Sequence, residues 1–319
     1  MWVAKTVSRS ALVAYAMVPV LFLISMAVIP GFGSPLSIVS LLVIGSLLGI
    51  ASIGQTLTIV LGGIDLSIPA VIGLANVLTV RWYGDGLPFA LVVLCVMAIA
   101  LAIGAVNGIL SRVLGAHPLL ITLAASFMIL GGVLVYTEGR TTGTVPDYLV
   151  QAVSPAGRAG PIPLPPIVIV WFLLSVLVVA VEQLSVPGRL LFATGASERA
   201  ARLALAPVTV IWAAAFAASS ACAAIAGILL AGFSGGADAS VGQPYLFQTI
   251  AAVVVGGTAL LGGSGSYART FAGVLLITEL TTFLIGLGFS DRIQQVMLGL
   301  LIILLVAIYG REPHVRTQI

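Results

Sequence analysis

The residues with chemical capacity are few, and they stand in unusual places. Asp65 lies in Leu61–Gly62–Gly63–Ile64–Asp65–Leu66–Ser67, an acid amid apolar sequence directly after two adjacent glycines. Such a pair loosens a helix, and a break at membrane depth is tolerated where it lines a cavity, its free backbone groups facing a polar solute. Asp65 and Ser67 could contact that solute. They could equally cap a helix running from residue 66, with Asp65 as the N-cap accepting backbone N–H groups. A proton relay through Asp65 is a third reading, since intramembrane acids are functional by default. Glu279 is a second acid inside apolar sequence and must face protein or water rather than lipid. Gln55, Thr56, Asn76, Asn107 and Gln243 are further candidates for a polar pathway, and each could instead make an interhelical hydrogen bond.

Two more motifs stand out. Between Val255 and Ser266 there are two glycine pairs, Gly256–Gly257 and Gly262–Gly263, and Leu61–Gly62–Gly63 is echoed by Leu261–Gly262–Gly263. With no lysine following, these stretches are poor phosphate cradles and read as sites of close packing through small residues. Gly195–Ala196–Ser197–Glu198–Arg199–Ala200–Ala201–Arg202 is amphipathic. Glu198 and Arg202 stand at i, i+4, Ser197 can cap, and Arg199 and Arg202 offer donors outward. It reads either as a solvated loop helix or as a surface for a cytoplasmic motor.

Several activities are excluded by what is missing. The single lysine is Lys5, so no P-loop lysine or Schiff-base lysine exists elsewhere, and ATP hydrolysis belongs to another chain. No catalytic residue, metal or cofactor is expected. His117 and His314 have no Cys or His neighbours at ligand spacing, and Cys95 and Cys222 lie in apolar runs, where they read as packed thiols. The net charge of +3 is small and scattered, so nucleic acid is not an expected partner.

The elements that position these residues follow from composition. Of 319 residues, 60% are hydrophobic and 7% charged, against about 25% charged in a soluble domain. That excludes a water-facing fold and also disorder. No acid or base occurs between Arg9 and Asp65, and similar gaps recur. The expectation is an all-α polytopic membrane protein with about ten transmembrane helices, some broken at Gly-Gly motifs: 11–29, 37–60, 66–80, 88–110, 118–137, 165–182, 208–231, 244–261, 270–289 and 293–310. The first is read as an uncleaved span, because no small-x-small site with a polar mature start follows it. Ten spans put Lys5, Arg9, Arg112, Arg189, Arg199, Arg202, Arg269, Arg311 and Arg316 on one side and Arg81, Arg140, Arg158 and Arg292 on the other. That bias orients both termini to the cytoplasm. Residues 1–319 read as one transmembrane domain with a cytoplasmic segment at 185–207 and an external Gly/Pro-rich loop at 138–164. Trp82, Tyr83 and Trp171 fall near predicted interfaces, where an aromatic belt accounts for them.

Together the motifs resemble the permeases of bacterial ATP-binding-cassette sugar importers, the ribose, xylose and arabinose family. The resemblance is carried by Gly62–Gly63–Ile64–Asp65–Leu66–Ser67, the Gly195 to Arg202 segment, and the run from Pro244 to Thr258, in order. Val106–Asn107–Gly108 and Ile121–Thr122–Leu123 add to it. It implies a permease in the bacterial inner membrane, paired with a second copy or a paralogous permease. The implied partners are a cytoplasmic ATPase that binds the ATP and a periplasmic solute-binding protein. Gly195 to Arg202 would be the helix that couples to the ATPase. The solute would be a pentose- or hexose-like sugar, with nucleosides, signalling furanones or branched-chain amino acids as alternatives within the class. Ser197 and Leu205–Ala206–Pro207–Val208 depart from the family pattern, which fits pairing with a different second permease; Ile68–Pro69 departs as well, and Pro69 is tolerated in the first turn of the next helix. The competing class is an ion-coupled secondary carrier using Asp65 and Glu279.

Overall fold

The computed structural model describes residues 9–139 and 142–309. Lys5, Arg140, Arg311, His314 and Arg316 lie outside the described residues, and with them part of the charge bias that orients the chain. In lipid, a backbone must satisfy its own polar groups, so apolar runs become helices. Among the described residues there are thirteen of them and no strand. In order they are α1 (Arg9–Val28), α2 (Pro35–Val60), α3 (Ile68–Gly84), α4 (Phe89–Val113), α5 (Pro118–Thr137), α6 (Asp147–Val153) and α7 (Pro166–Leu184), followed by α8 (Val186–Ala196), α9 (Glu198–Leu203), α10 (Val208–Ser234), α11 (Tyr245–Val255), α12 (Tyr267–Gly286) and α13 (Asp291–Tyr309).

A helix lies over each of the ten apolar segments read from the sequence. Six of them, α2, α4, α5, α7, α10 and α12, are long and apolar enough to cross a membrane. Helix starts follow local chemistry. Proline occupies the first turn of α2, α5 and α7, where its missing N–H costs nothing. The Ser34, His117 and Ser266 side chains accept backbone N–H bonds at the starts of α2, α5 and α12.

The eighth segment, 244–261, is broken at its glycines, as expected of helices carrying Gly-Gly motifs: α11 ends at Val255, and Gly257, Gly262 and Gly263 adopt φ of 82°, 86° and 74°. An eleven-residue helix rises about 16 Å, half of a bilayer core of about 30 Å. The chain before it, 235–244, is irregular and packs along α3. Asn76 Oδ1 accepts the Asp238 N–H at 2.8 Å, and a Cβ on Gly242 would run into the Pro69 carbonyl. Irregular backbone is thus held inside protein, where neighbours satisfy it.

α10 is the centre of the bundle, packed against α4, α2 and α3. Small residues make this possible. A Cβ on Gly54 would lie 2.5 Å from Ser219 Cα, and one on Gly108 would lie 2.6 Å from the Trp212 oxygen. Without a hydrophobic force between helices in lipid, close backbone approach is a main source of packing energy. Outer helices instead present apolar side chains to lipid, as α5 does with Phe127, Met128 and Val135.

Trp171 is a correction. It is buried, not at an interface. Its Nε1–H donates to the Tyr267 hydroxyl at 2.9 Å, and its ring stacks on Phe271 at 4.5 Å. Tyr267 in turn donates to the Gly49 carbonyl at 2.8 Å, while its N–H donates to the Glu182 carboxylate at 2.9 Å. This set ties α7, α12 and α2 together.

Candidate functional site

The break between α2 and α3 is the most highly bonded polar feature of the core. Gly62, with φ of 84°, ends α2, and residues 63–67 turn back into the bundle before α3 begins at Ile68. Asp65 is not the N-cap expected for a helix from residue 66. Ser67 holds that position, with no side-chain cap bond. Asp65 Oδ1 accepts the Ser67 N–H at 2.9 Å and the Ser67 hydroxyl at 2.5 Å, and Oδ2 accepts the Ser219 hydroxyl at 2.7 Å. From α4, Asn107 Nδ2 donates to Ser67 Oγ at 3.1 Å. From α5, Thr122 Oγ1 accepts the Leu66 N–H at 3.0 Å. One seven-residue break is therefore tied to three other helices, with Asp65 at 1% exposure.

Polar residues elsewhere in the core are less satisfied. Thr56 bonds Thr270 at 3.0 Å. Gln55 is fully buried, and neither amide atom has a partner; the same holds for Ser52 Oγ one turn earlier on α2. Asn76 Nδ2, Ser220 Oγ and both Glu279 oxygens are likewise buried without partners. An unbonded polar group inside a membrane protein costs several kcal/mol, at about 1–3 by mutational measures, so water or a polar solute is its natural counterpart in another state.

Near the C-terminal end of α2 three glycine-bearing stretches meet. The Gly263 N–H donates to the Val60 carbonyl at 2.8 Å. A Cβ on Gly262, whose φ is 86°, would lie 2.8 Å from the Gly62 nitrogen and 3.1 Å from the Gly195 oxygen. A Cβ on Gly195 would run into the Val60 carbonyl. The two echoing Leu–Gly–Gly motifs, distant in sequence, are thus in backbone contact, with the 195–202 segment against both. Gly256 lies apart, packed on the Arg269 and Thr270 backbone.

The 195–202 segment is two helices, not one. Ser197, extended at φ −161° and ψ 103°, separates α8 from α9 and accepts the Ala200 N–H at 3.2 Å. Gly195 lies in the last turn of α8, which ends at Ala196, whereas Glu198, Arg199, Ala200, Ala201 and Arg202 belong to α9. Glu198 Oε1 takes Arg202 at 2.7 Å and also Arg112, from the end of α4, at 2.6 Å. Arg199, Arg202 and Leu203 line an open depression on this face. Four contributors were not identified in the sequence. Ser219, Thr122 and Trp212 lie inside apolar runs, and Arg112 entered only as a charge that orients a span. The Ser219–Ser220 pair in the α10 run was the one signal available.

The described residues form a multi-pass helical bundle of a membrane protein, broken at a polar knot and carrying a charged pair of short helices. The chain belongs to the family described as "Branched-chain amino acid transport system / permease component", which matches residues 37–306. It is 31% identical over 281 residues to the ribose import permease protein RbsC of Haemophilus influenzae, covering 87% of this chain and 86% of that one. It is 33% identical to RbsC of Bacillus subtilis, over 87% and 85% of the two chains. The autoinducer 2 import system permease protein LsrD of Yersinia pseudotuberculosis is 31% identical, over 81% and 78%. No solved structure matches the chain. The protein is a permease of the ABC sugar-importer type.

Proposed function

We propose that this chain is the transmembrane subunit of an ATP-binding-cassette importer that moves a pentose- or hexose-like monosaccharide into the cytoplasm by alternating access. In this reading residues 1–319 form one unit of ten spans in the bacterial inner membrane, with both termini cytoplasmic. The α8–α9 hairpin, within 185–207, receives the cytoplasmic ATPase, which binds the ATP. The 138–164 loop, with α6, faces the periplasmic binding protein. A second copy or a paralogous permease completes the pathway.

The observation that carries the sugar reading is the match to ribose import permeases over most of both chains. The core chemistry supports it. Gln55, Asn76 and Ser52 present uncharged amides and a hydroxyl with unmet hydrogen-bonding capacity, as a neutral polyol requires. Asn107, Ser67 and Asp65 border that pathway as the knot that holds the α2–α3 break. Import of a furanone-type signal is a second reading, favoured by the comparable identity to LsrD.

The test is uptake in proteoliposomes holding the permease, its ATPase and its binding protein, with a sugar panel and a furanone. ATP-dependent accumulation of a monosaccharide is expected. Accumulation by this chain alone under a proton gradient would instead establish the secondary carrier, with Asp65 and Glu279 as its titrating groups. Charge reversal at Glu198 or Arg199 should abolish ATP-driven uptake while the permease still inserts.

A further inference from the structure

The end of α4 joins the cytoplasmic hairpin to the Asp65 knot, and Arg112 stands where they meet. Asn107, five residues earlier on the same helix, donates into the knot at Ser67, and Ser111 donates to the Asn107 carbonyl at 2.7 Å. Arg112 Nη2 reaches the other way, to Glu198 Oε1 at 2.6 Å. Its guanidinium carbon lies 5.0 Å from the centre of the Trp212 ring. Trp212 stacks on Phe216 at 5.7 Å and 14°, and both rings are buried. They form the wall against Gly63, where a Cβ would meet Trp212 at 3.1 Å and Phe216 at 3.2 Å. Beside the apolar cluster that Ala201 of α9 shares with Leu61 and Trp212, two lines run from the Glu198 carboxylate to the break before α3, one through the rings and one through Asn107. Both pass through Arg112.

The pair is partly shielded, with side chains 20% and 29% exposed, whereas Arg202 is 58% exposed. Partial desolvation strengthens a charge-assisted hydrogen bond relative to an open surface pair. A guanidinium suits the place because its central carbon lies over the indole while its Nη2 donates to the carboxylate.

We infer that Arg112 is a positioning residue for transport: it clamps α9 onto Trp212, so that displacement of α9 is delivered to the 61–67 break. This rests on the reading of α9 as the ATPase-docking element. The direct contact of Gly195 with Val60 is between main chains and involves neither Arg112 nor Glu198, so substitution of Arg112, which leaves the Glu198–Arg202 pair in place, isolates the Arg112 route.

Two measurements test it. In the complete reconstituted importer, Arg112→Gln and Glu198→Gln lower the solute moved per ATP hydrolysed by at least about fivefold, the size of a typical coupling between sites. The half-saturating solute concentration stays as in the parent. Arg112→Lys recovers part of the loss, as does the exchanged pair Arg112→Glu with Glu198→Arg. On the purified full chain in lipid nanodiscs, without partners, Glu198→Gln speeds hydrogen exchange at amides 64–67, which α9 does not touch. Parent-like uptake per ATP in Arg112→Gln overturns the proposal, as does unchanged exchange at 64–67. Failure of Arg112→Gln to co-purify with the ATPase also overturns it, since Arg112 would then serve assembly. If the unsubstituted importer shows no ATP-driven uptake, the importer reading falls, and the exchange measurement alone decides the Arg112 linkage.

Discussion

Removing the Asp65 carboxylate should destabilise the chain in a way that separates its acceptor role from its charge. In Asp65→Ala three donors lose their partner: the Ser67 N–H, the Ser67 hydroxyl and the Ser219 hydroxyl. The Ser219 hydroxyl can turn to a carbonyl of its own helix, as Ser111, Ser175 and Thr249 do. The Ser67 N–H has no such freedom. With about 1–3 kcal/mol for each buried donor left unmet and partial recovery by the hydroxyls, the loss is about 2–4 kcal/mol. Asp65→Asn keeps an acceptor oxygen toward Ser67 and offers an amide N–H to Ser219 Oγ, which can accept it. That change costs about 1 kcal/mol. Ser219→Ala falls between, and its effect combined with Asp65→Ala is less than the sum, because both remove one bond. The assay is the thermal midpoint of the full chain in detergent, read as monodisperse protein remaining after heating. A parent-like midpoint in Asp65→Ala would refute the reasoning. So would a midpoint for Asn as low as that for Ala, because charge and not acceptor capacity would then hold the knot.

Three further outcomes follow from the packing. Gly195→Ala drives a Cβ into the Val60 carbonyl and should lower both the thermal midpoint and uptake per ATP; Gly131→Ala, with nothing within 4 Å, should change neither. Tyr267→Phe strands Trp171 Nε1 and removes the second donor to the Gly49 carbonyl and should cost about 1–2 kcal/mol, seen as a lowered midpoint. Glu182→Ala leaves the Tyr267 N–H unbonded at the first turn of α12 and should cost a similar 1–2 kcal/mol or so; a midpoint equal to the parent would show that water replaces the carboxylate.

Much of the site was legible because its residues are anomalous against an apolar background. An acid after two glycines, and a charged octad between long apolar runs, show themselves without any fold. Their partners were not legible, for two reasons. Ser219 and Thr122 are common residues in spans, where a hydroxyl often bonds its own helix. Arg112 sits at a span end, where a base is ordinary. Trp171 looked like a belt residue because its position along the span was readable and its rotation about the helix axis was not. The Ser197 bend was hidden for a related reason: a good N-cap signals where one helix begins but not that another has ended directly before it.

Composition alone determined that lipid is the solvent, and gaps between charges placed a helix over each of ten segments, because an apolar backbone in lipid must bond to itself. What tertiary structure decided is which breaks meet. The echo between Leu61–Gly62–Gly63 and Leu261–Gly262–Gly263 carried little weight as a sequence match, yet the fold sets them in backbone contact, with Gly195 of α8 against both stretches. Sequence records where a chain can bend; only the packing of distant helices, through side chains absent at those glycines, determines what each bend touches.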